Sequence, residues 1–218
     1  NSRKELDAYM QQLVQGYQST GLDDFLGLSP EQMHAILNLG PLAMEGLLSL
    51  NDAVTEADVR NIPVLRTALD LMRYLDDNDG TKATARGNLS RSCVQSIWDE
   101  QTASLHEDDE MRTRFRPTGE LKWFELYLVR RALRAAKLIK LYKGRFSLGD
   151  KGRSIFEKRS LNELYRHLFY TIGWMEDWNE GRADYQAFLP FCQQSFLFNL
   201  YLLGKCAAPA LDAMVARG

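Results

Sequence analysis

The stretch LYKGRFSLGDKG, residues 141–152, decides the fold that we predict for this chain. Apolar and polar residues alternate on either side of Lys143-Gly144, which is typical of two short strands joined by a tight turn. The glycines at 149 and 152 interrupt the alternation, and Ile155-Phe156 then begin a helical pattern. The stretch therefore predicts a β-hairpin over residues 141–148 that leads into a helix.

Most of the chain on either side of this stretch has the periodicity of helices. Apolar residues recur at helical spacing from Val64 to Leu75 and from Glu120 to about Ile139, and residues 6–17 form a shorter amphipathic pattern. Residues 185–216 predict two further apolar helices. In the helix that begins at Glu120, the side chains expected to face inward are Leu121, Phe124, Leu128, Ala132, Ala135 and Ile139.

Capping signals predict where several helices begin. Ser29 to Gln32 and Ser160 to Glu163 each carry a hydroxyl that is followed three residues later by Gln or Glu, which is the pattern of a capping box. Thr55 is expected to cap a short helix, and Thr118 is expected to cap the helix that begins at Glu120.

The predicted elements from Val64 to Arg159 follow a distinctive order: helix, short strand (within Thr81–Ala85), helix, helix, strand, strand, helix. This is the order of a winged helix, in which the third helix enters the major groove of DNA and the hairpin forms the wing. We predict a mainly α fold, a helical bundle with an embedded winged-helix-like segment and one small β-hairpin. The expected division is an N-terminal helical segment (1–62), a winged-helix-like core (63–159) and a C-terminal helical bundle (160–218).

Charge is distributed unevenly along the 218 residues, although the formal net charge is only −2. Residues 1–80 carry a net charge of −8, whereas residues 111–160 carry 15 basic and 4 acidic side chains. The composition is otherwise that of an ordinary globular protein, which excludes a disordered, collagen-like or disulfide-rich chain. Because cations along a helix and a wing can neutralise DNA phosphates, DNA is the leading predicted partner.

Seven basic residues are the predicted phosphate contacts: Arg130, Arg134, Lys137, Lys140, Lys143, Arg145 and Lys151. The first three lie at i, i+4 and i+7 and therefore share one helix face. Two alternatives stay open here, namely a solvated basic face that pairs with the acidic first third of the chain, and a surface for an acidic protein partner. The acidic cluster Glu107–Glu110, within a predicted loop over 101–118, and the overall pI of about 6.0 count against DNA.

Three passages carry a family resemblance: Leu28-Ser29-Pro30-Glu31-Gln32-Met33-His34, Lys82-Ala83-Thr84-Ala85-Arg86-Gly87-Asn88-Leu89-Ser90-Arg91, and the block containing Phe124-Glu125-Leu126, Leu138-Ile139, Lys143-Gly144-Arg145-Phe146 and Lys151-Gly152. Together they resemble an uncharacterised bacterial helical family that often occurs beside SEC-C zinc-binding or plasmid ORF-three-like domains. The resemblance covers about residues 28–200 and implies no established activity. No Cys/His-rich tail accompanies it, so we expect no zinc. Ser147-Leu148 also departs from the Leu-Thr that many winged-helix regulators carry in the wing.

The sequence contains no G-x-S-x-G, P-loop, H-E-x-x-H or G-x-G-x-x-G pattern. Glu163 and His167, four residues apart, are interpreted as an ordinary surface pair rather than as metal ligands. The run Asp76, Asp77 and Asp79 lacks the glutamate that completes an EF-hand loop. We therefore predict a non-enzymatic protein with no metal or other cofactor.

Cysteine usage and hydropathy bear on the compartment. Three cysteines without a C-x-x-C pair fit a reducing cytoplasm. Residues 1–18 lack the apolar region of a signal peptide, and polar residues interrupt the apolar stretch 187–203, so a cytoplasmic protein without a membrane span is expected. The rival to DNA binding is a protein–protein interaction or assembly module in which the winged helix is only a scaffold. Its homodimer would form through Trp174, Trp178 and Phe196.

Overall fold

The computed structural model describes residues 2–38, 50, 52–103, 115–175 and 189–205. Its helices are α1 (Ser2–Ser19), α2 (Pro30–Asn38), α3 (Glu56–Asn61), α4 (Pro63–Asp77), α5 (Arg91–Thr102), α6 (Phe124–Ala135), α7 (Asp150–Glu157), α8 (Leu161–Tyr170), α9 (Leu189–Gln194) and α10 (Phe196–Lys205). Its strands are β1 (Thr81–Lys82), β2 (Ile139–Tyr142) and β3 (Arg145–Leu148). Short 3₁₀ turns cover Asp23–Phe25 and Glu120–Lys122, and a π-helical turn covers Thr171–Met175. The predicted mainly α fold with a small β-hairpin is confirmed.

The chain divides into two compact units, a central unit of residues 51–176 and a terminal unit of residues 1–50 and 177–218. The sequence predicted three consecutive segments, with boundaries at 62/63 and 159/160. Both of those boundaries fall inside the central unit because the helices beyond them contribute to its core. Val59 of α3 and Leu164 of α8 are buried in the same apolar cluster as α4 and α6.

The sheet of the central unit is antiparallel and has the order β1-β3-β2. The predicted hairpin is present, and its two-residue turn at Lys143-Gly144 has φ values of +47° and +72°. Positive φ at both central positions is the type I′ geometry, whose twist matches that of paired strands. The alternation seen in the sequence buries Phe146 and Leu148 and leaves Arg145 exposed.

The helix predicted from Glu120 to Ile139 is shorter than expected. Glu120 lies in the 3₁₀ turn, α6 begins after Trp123 rather than at a Thr118 cap, and Ile139 is already in β2. Leu121 and Phe124 are 59% and 50% exposed, so their predicted inward orientation is wrong. Ala135 is also exposed, Leu128 is half-buried, and the buried apolar residues of α6 are Leu126, Val129, Ala132 and Leu133.

A Schellman motif explains where α6 stops. The backbone N–H of Leu138 donates to the carbonyl of Leu133 at 2.8 Å, and that of Lys137 donates to the carbonyl of Arg134 at 3.0 Å. Lys137 has φ +60°, the left-handed conformation that glycine usually supplies at this position. Because a lysine stands there instead, the helix end carries no glycine signal in the sequence.

Two of the four predicted caps are confirmed, and the Thr118 cap is wrong as described above. Ser29 Oγ accepts from the N–H of Gln32 at 3.2 Å, and Gln32 Oε1 accepts from the N–H of Ser29 at 2.9 Å. Thr55 and Asp58 form the same reciprocal arrangement at the start of α3. The box predicted at Ser160 is wrong, since the Ser160 side chain makes no capping bond to α8.

Close backbone packing fixes α7 against the end of α6. A Cβ atom added to Gly152 would lie 1.9 Å from the carbonyl oxygen of Leu138, so only glycine allows this approach. The N–H of Gly149 also donates to the Leu138 carbonyl at 2.8 Å. The start of α7 is thereby held beside the turn that contains Lys137.

The terminal unit is built from α1, α2, α9 and α10 in its described residues. Ile36 of α2 and Leu197 and Tyr201 of α10 are buried, and Tyr201 Oη donates to the carbonyl of Leu26 at 3.1 Å. The two apolar helices predicted over 185–216 correspond, in the part that is described, to α9 and α10. Trp178 and the Glu107–Glu110 cluster lie outside the described residues.

Among the helices of the described ranges, none combines the length and the apolar character needed to cross a membrane.

Candidate nucleic-acid interface

Arg130 must be removed from the predicted phosphate contacts. It lies on the inner face of α6, is only 6% exposed and donates from Nε to Glu120 Oε1 at 2.7 Å. Its guanidinium also lies over the rings of Tyr127 and Phe146, 5.4 and 5.8 Å from their centroids. Arg130 and Arg134 are one helical turn apart, as the sequence predicts. Arg130 is nevertheless buried among the apolar residues of α6, whereas Arg134 is exposed.

The carboxylate of Glu120 is the centre of this buried arrangement. Its side chain has no exposed surface, and Oε2 accepts from the backbone N–H of Leu89 at 2.6 Å. The pair therefore links α6 to the segment that enters α5. Burial, and secondly the charge of Glu120, raises the pKa of the nearby Cys93 thiol, which keeps that cysteine protonated.

Three exposed cations surround the junction of α6, β2 and α7. Arg134 is in the last turn of α6, Lys137 occupies the left-handed position after it, and Lys151 is in the first turn of α7. The contacts of Gly149 and Gly152 with Leu138 bring these elements together. Asp150 is also exposed and directly precedes Lys151, so one acidic side chain lies at this end of the surface.

A second group of cations lies on the outer face of the sheet and at its turn. Lys140 and Tyr142 alternate with the buried Ile139 and the half-buried Leu141 of β2, and Tyr142 is 66% exposed. Lys143 in the turn places Nζ 5.2 Å from the centroid of the Tyr142 ring. The register pairs Lys82 of β1 with Arg145 of β3, which places Lys82 on the same outer face.

The guanidinium of Arg145 binds backbone carbonyls of the turn that follows α4. Its Nε and Nη2 donate to the carbonyl of Asp79 at 3.0 and 2.8 Å, and Nη2 also reaches the carbonyls of Asn78 and Gly80 at 3.3 Å. These carbonyls belong to the turn after α4, where a cation is favoured by the helix dipole. Arg145 therefore anchors the hairpin to α4, with part of its guanidinium already engaged.

We call the remaining exposed set the wing cations: Lys82, Arg134, Lys137, Lys140, Lys143 and Lys151. Lys82 was missed by the sequence reasoning, because only the register of β1 on β3 brings it beside the hairpin. Within the described part of the chain, none of the six forms an ion pair, whereas Arg73 pairs with Glu100 and Arg153 pairs with Asp76. The acidic first third of the chain therefore does not neutralise them in the residues that are described.

The Glu163 and His167 pair has the geometry of a surface contact, with 3.9 Å between Oε1 and Nε2. Burial and the positive charge of Lys151 lower the pKa of His167, and Glu163 opposes this shift. His167 is therefore neutral at pH 7. In the described ranges no group of three His, Cys, Asp or Glu side chains could hold a metal ion.

Residues 60–161 match the family model described as the Y4jL N-terminal domain. The match begins in α3 and ends at the first residue of α8, so it contains the whole sheet and all six wing cations. It supports the predicted resemblance to an uncharacterised family, while neighbouring SEC-C or plasmid ORF-three-like domains stay a prediction. No curated protein and no solved structure shows significant similarity to the chain.

Proposed function

We propose that residues 63–159 form a winged helix and that the wing cations bind the phosphates of duplex DNA. The order α4, β1, α5, α6, β2, β3, with β3 between the other two strands, supports this assignment. In a winged helix α6 would be the helix presented to the major groove. The connection between α5 and α6, residues 103–123, is longer than the 3–4-residue turn of a helix-turn-helix.

One observation carries the proposal: six exposed cations without an ion-pair partner, in the described residues, on the elements that a winged helix presents to DNA. Each contact between a cation and a phosphate releases condensed counterions, which favours binding at low salt. We further propose that binding to DNA is the whole function of the protein and that it is not an enzyme. We also propose that it acts in the cytoplasm.

Binding to a fluorescent duplex of about 20 base pairs tests the proposal by anisotropy at two salt concentrations. With six phosphate contacts, affinity should fall about a thousandfold between roughly 50 and 200 mM salt. Absence of binding at the lower concentration would contradict the proposal and would favour the rival interaction module.

Lys143 allows a sharper test, because its replacement should change stability and DNA affinity in opposite directions. Lysine is strained at φ +47°, whereas asparagine tolerates the left-handed region well. Lys143→Asn should therefore raise the free energy of unfolding by up to about 1 kcal/mol. The same substitution should weaken DNA binding several-fold and make the salt dependence shallower by about one unit.

Urea unfolding and anisotropy titrations on the same protein samples measure both effects. Lys143→Arg keeps the charge and should preserve binding. Greater stability with unchanged affinity would remove Lys143 from the interface.

A further inference from the structure

The strongest unexplained feature outside the wing is the apolar stripe of α1. All residues from Arg3 to Ser19 are exposed, including six large apolar side chains that are 48–62% exposed: Leu6, Tyr9, Met10, Leu13, Val14 and Tyr17. Their spacing of i, i+3, i+4, i+7, i+8 and i+11 places them on one side of the helix. Contiguous apolar surfaces of this kind mark interaction sites.

An 18-residue helix with this composition needs a partner for the stripe. Isolated helices of such length are marginal in water, and helices in proteins gain most of their stability by packing an amphipathic face. Gly16 lowers the intrinsic propensity further. We therefore infer that α1 is stabilised by a surface that covers the stripe.

We propose that α1 pairs in antiparallel orientation with α1 of a second copy of this chain. The spacing of the stripe is symmetric about its midpoint, so Leu6 would face the partner's Tyr17, Tyr9 the partner's Val14, and Met10 the partner's Leu13. Every large apolar residue of the stripe would then contact another one. This inference is independent of the proposed binding of DNA.

The distribution of charge along α1 favours a second copy in this orientation. Arg3, Lys4, Glu5 and Asp7 place charges of both signs in its first two turns, whereas residues 8–20 carry no charged side chain. Antiparallel pairing places these four side chains along the uncharged end of the partner helix. Parallel pairing would instead set each of them against its own copy, with like charges opposed.

The size of the stripe is sufficient for such a contact. Six large side chains, each about half exposed, offer several hundred square ångströms per copy, approaching the roughly 800 Å² per partner of a standard interface. We therefore expect a dimer that is stable at micromolar concentration and that depends on the centre of the stripe.

Sedimentation of the full chain at tens of micromolar tests the pairing. The wild-type chain should have about twice the monomer mass of 25.0 kDa, and Leu13→Glu should weaken dimerisation at least about 100-fold. Gln15→Glu is the matched control, because it adds the same charge on the opposite face of α1 and should leave the dimer intact. A monomeric wild-type chain, or a dimer that Leu13→Glu leaves unchanged, would overturn the proposal.

Disulfide trapping tests the orientation and does not depend on a destabilised variant. In a chain with Cys192→Ser and Cys206→Ser, a Leu6→Cys variant mixed with a Tyr17→Cys variant should form a mixed disulfide dimer in high yield. The Leu6→Cys variant alone should cross-link poorly. Efficient cross-linking of Leu6→Cys with itself, and none in the mixture, would contradict the antiparallel arrangement.

Discussion

Glu120→Ala should lower the free energy of unfolding of the central unit by about 3–5 kcal/mol. The substitution leaves the Arg130 guanidinium buried without its counter-charge and the N–H of Leu89 without its acceptor. Both groups would have to remain desolvated and unpaired, or the core would have to open to water. Urea unfolding followed by the fluorescence of Trp98 and Trp123, whose ring centroids are 5.3 Å apart, measures the loss.

Two control variants distinguish the effect of losing the buried Glu120–Arg130 pair from the effect of losing any charged side chain. Asp52→Ala removes the exposed partner of Arg166 and should cost less than about 1 kcal/mol, because exposed ion pairs contribute little. The double variant Glu120→Leu, Arg130→Met removes both charges and should recover the part of the loss that comes from the unpaired Arg130 guanidinium, while the N–H of Leu89 still lacks its acceptor. A loss below about 1 kcal/mol in Glu120→Ala would show that the carboxylate does not hold Arg130 in the core.

Replacing Lys82, Lys140 and Lys143 together by glutamine should weaken DNA binding about 100-fold at roughly 50 mM salt. Each of these side chains lies on the outer face of the sheet or at its turn and is without an ion-pair partner in the described residues. Loss of three phosphate contacts should also reduce the slope of log affinity against log salt by about three units. Anisotropy titrations across a series of salt concentrations measure both quantities.

The matched control changes three cations that are already neutralised within the protein. Arg73, Arg116 and Arg166 form ion pairs with Glu100, Asp99 and Asp52. Their replacement by glutamine alters the net charge by the same amount, but it should change affinity only a few-fold, because no wing cation is lost. Equal losses in the two triple variants would mean that net charge, rather than the wing surface, governs binding.

Local sequence signals predicted the parts of the fold that depend on local chemistry. The alternation around Lys143-Gly144 identified the hairpin, because a two-residue turn and a period of two leave few other structures. The apolar spacing from Val64 to Leu75 identified α4, and the Ser29 and Thr55 caps are present as predicted. Each of these features is determined by residues within a few positions of one another.

The candidate site was less predictable, because its features depend on tertiary contacts. Arg130 has the sequence appearance of a surface cation, and only the placement of Glu120 against α6 makes its burial favourable. Lys137 has the left-handed conformation that follows the end of a helix, where glycine is the usual residue. Without a glycine, the sequence does not show that the helix ends there. Lys82 joins the wing cations through a strand pairing that spans more than sixty residues of sequence.

Hydrogen–deuterium exchange of the full chain, with and without duplex DNA at low salt, tests most directly whether the wing cations bind DNA. We expect DNA to slow exchange in peptides that cover residues 134–151 and residue 82, and to leave exchange in α2 and α10 unchanged. Slower exchange confined to the terminal unit, or no change anywhere at saturating DNA, would contradict the claim that the wing cations are the binding surface.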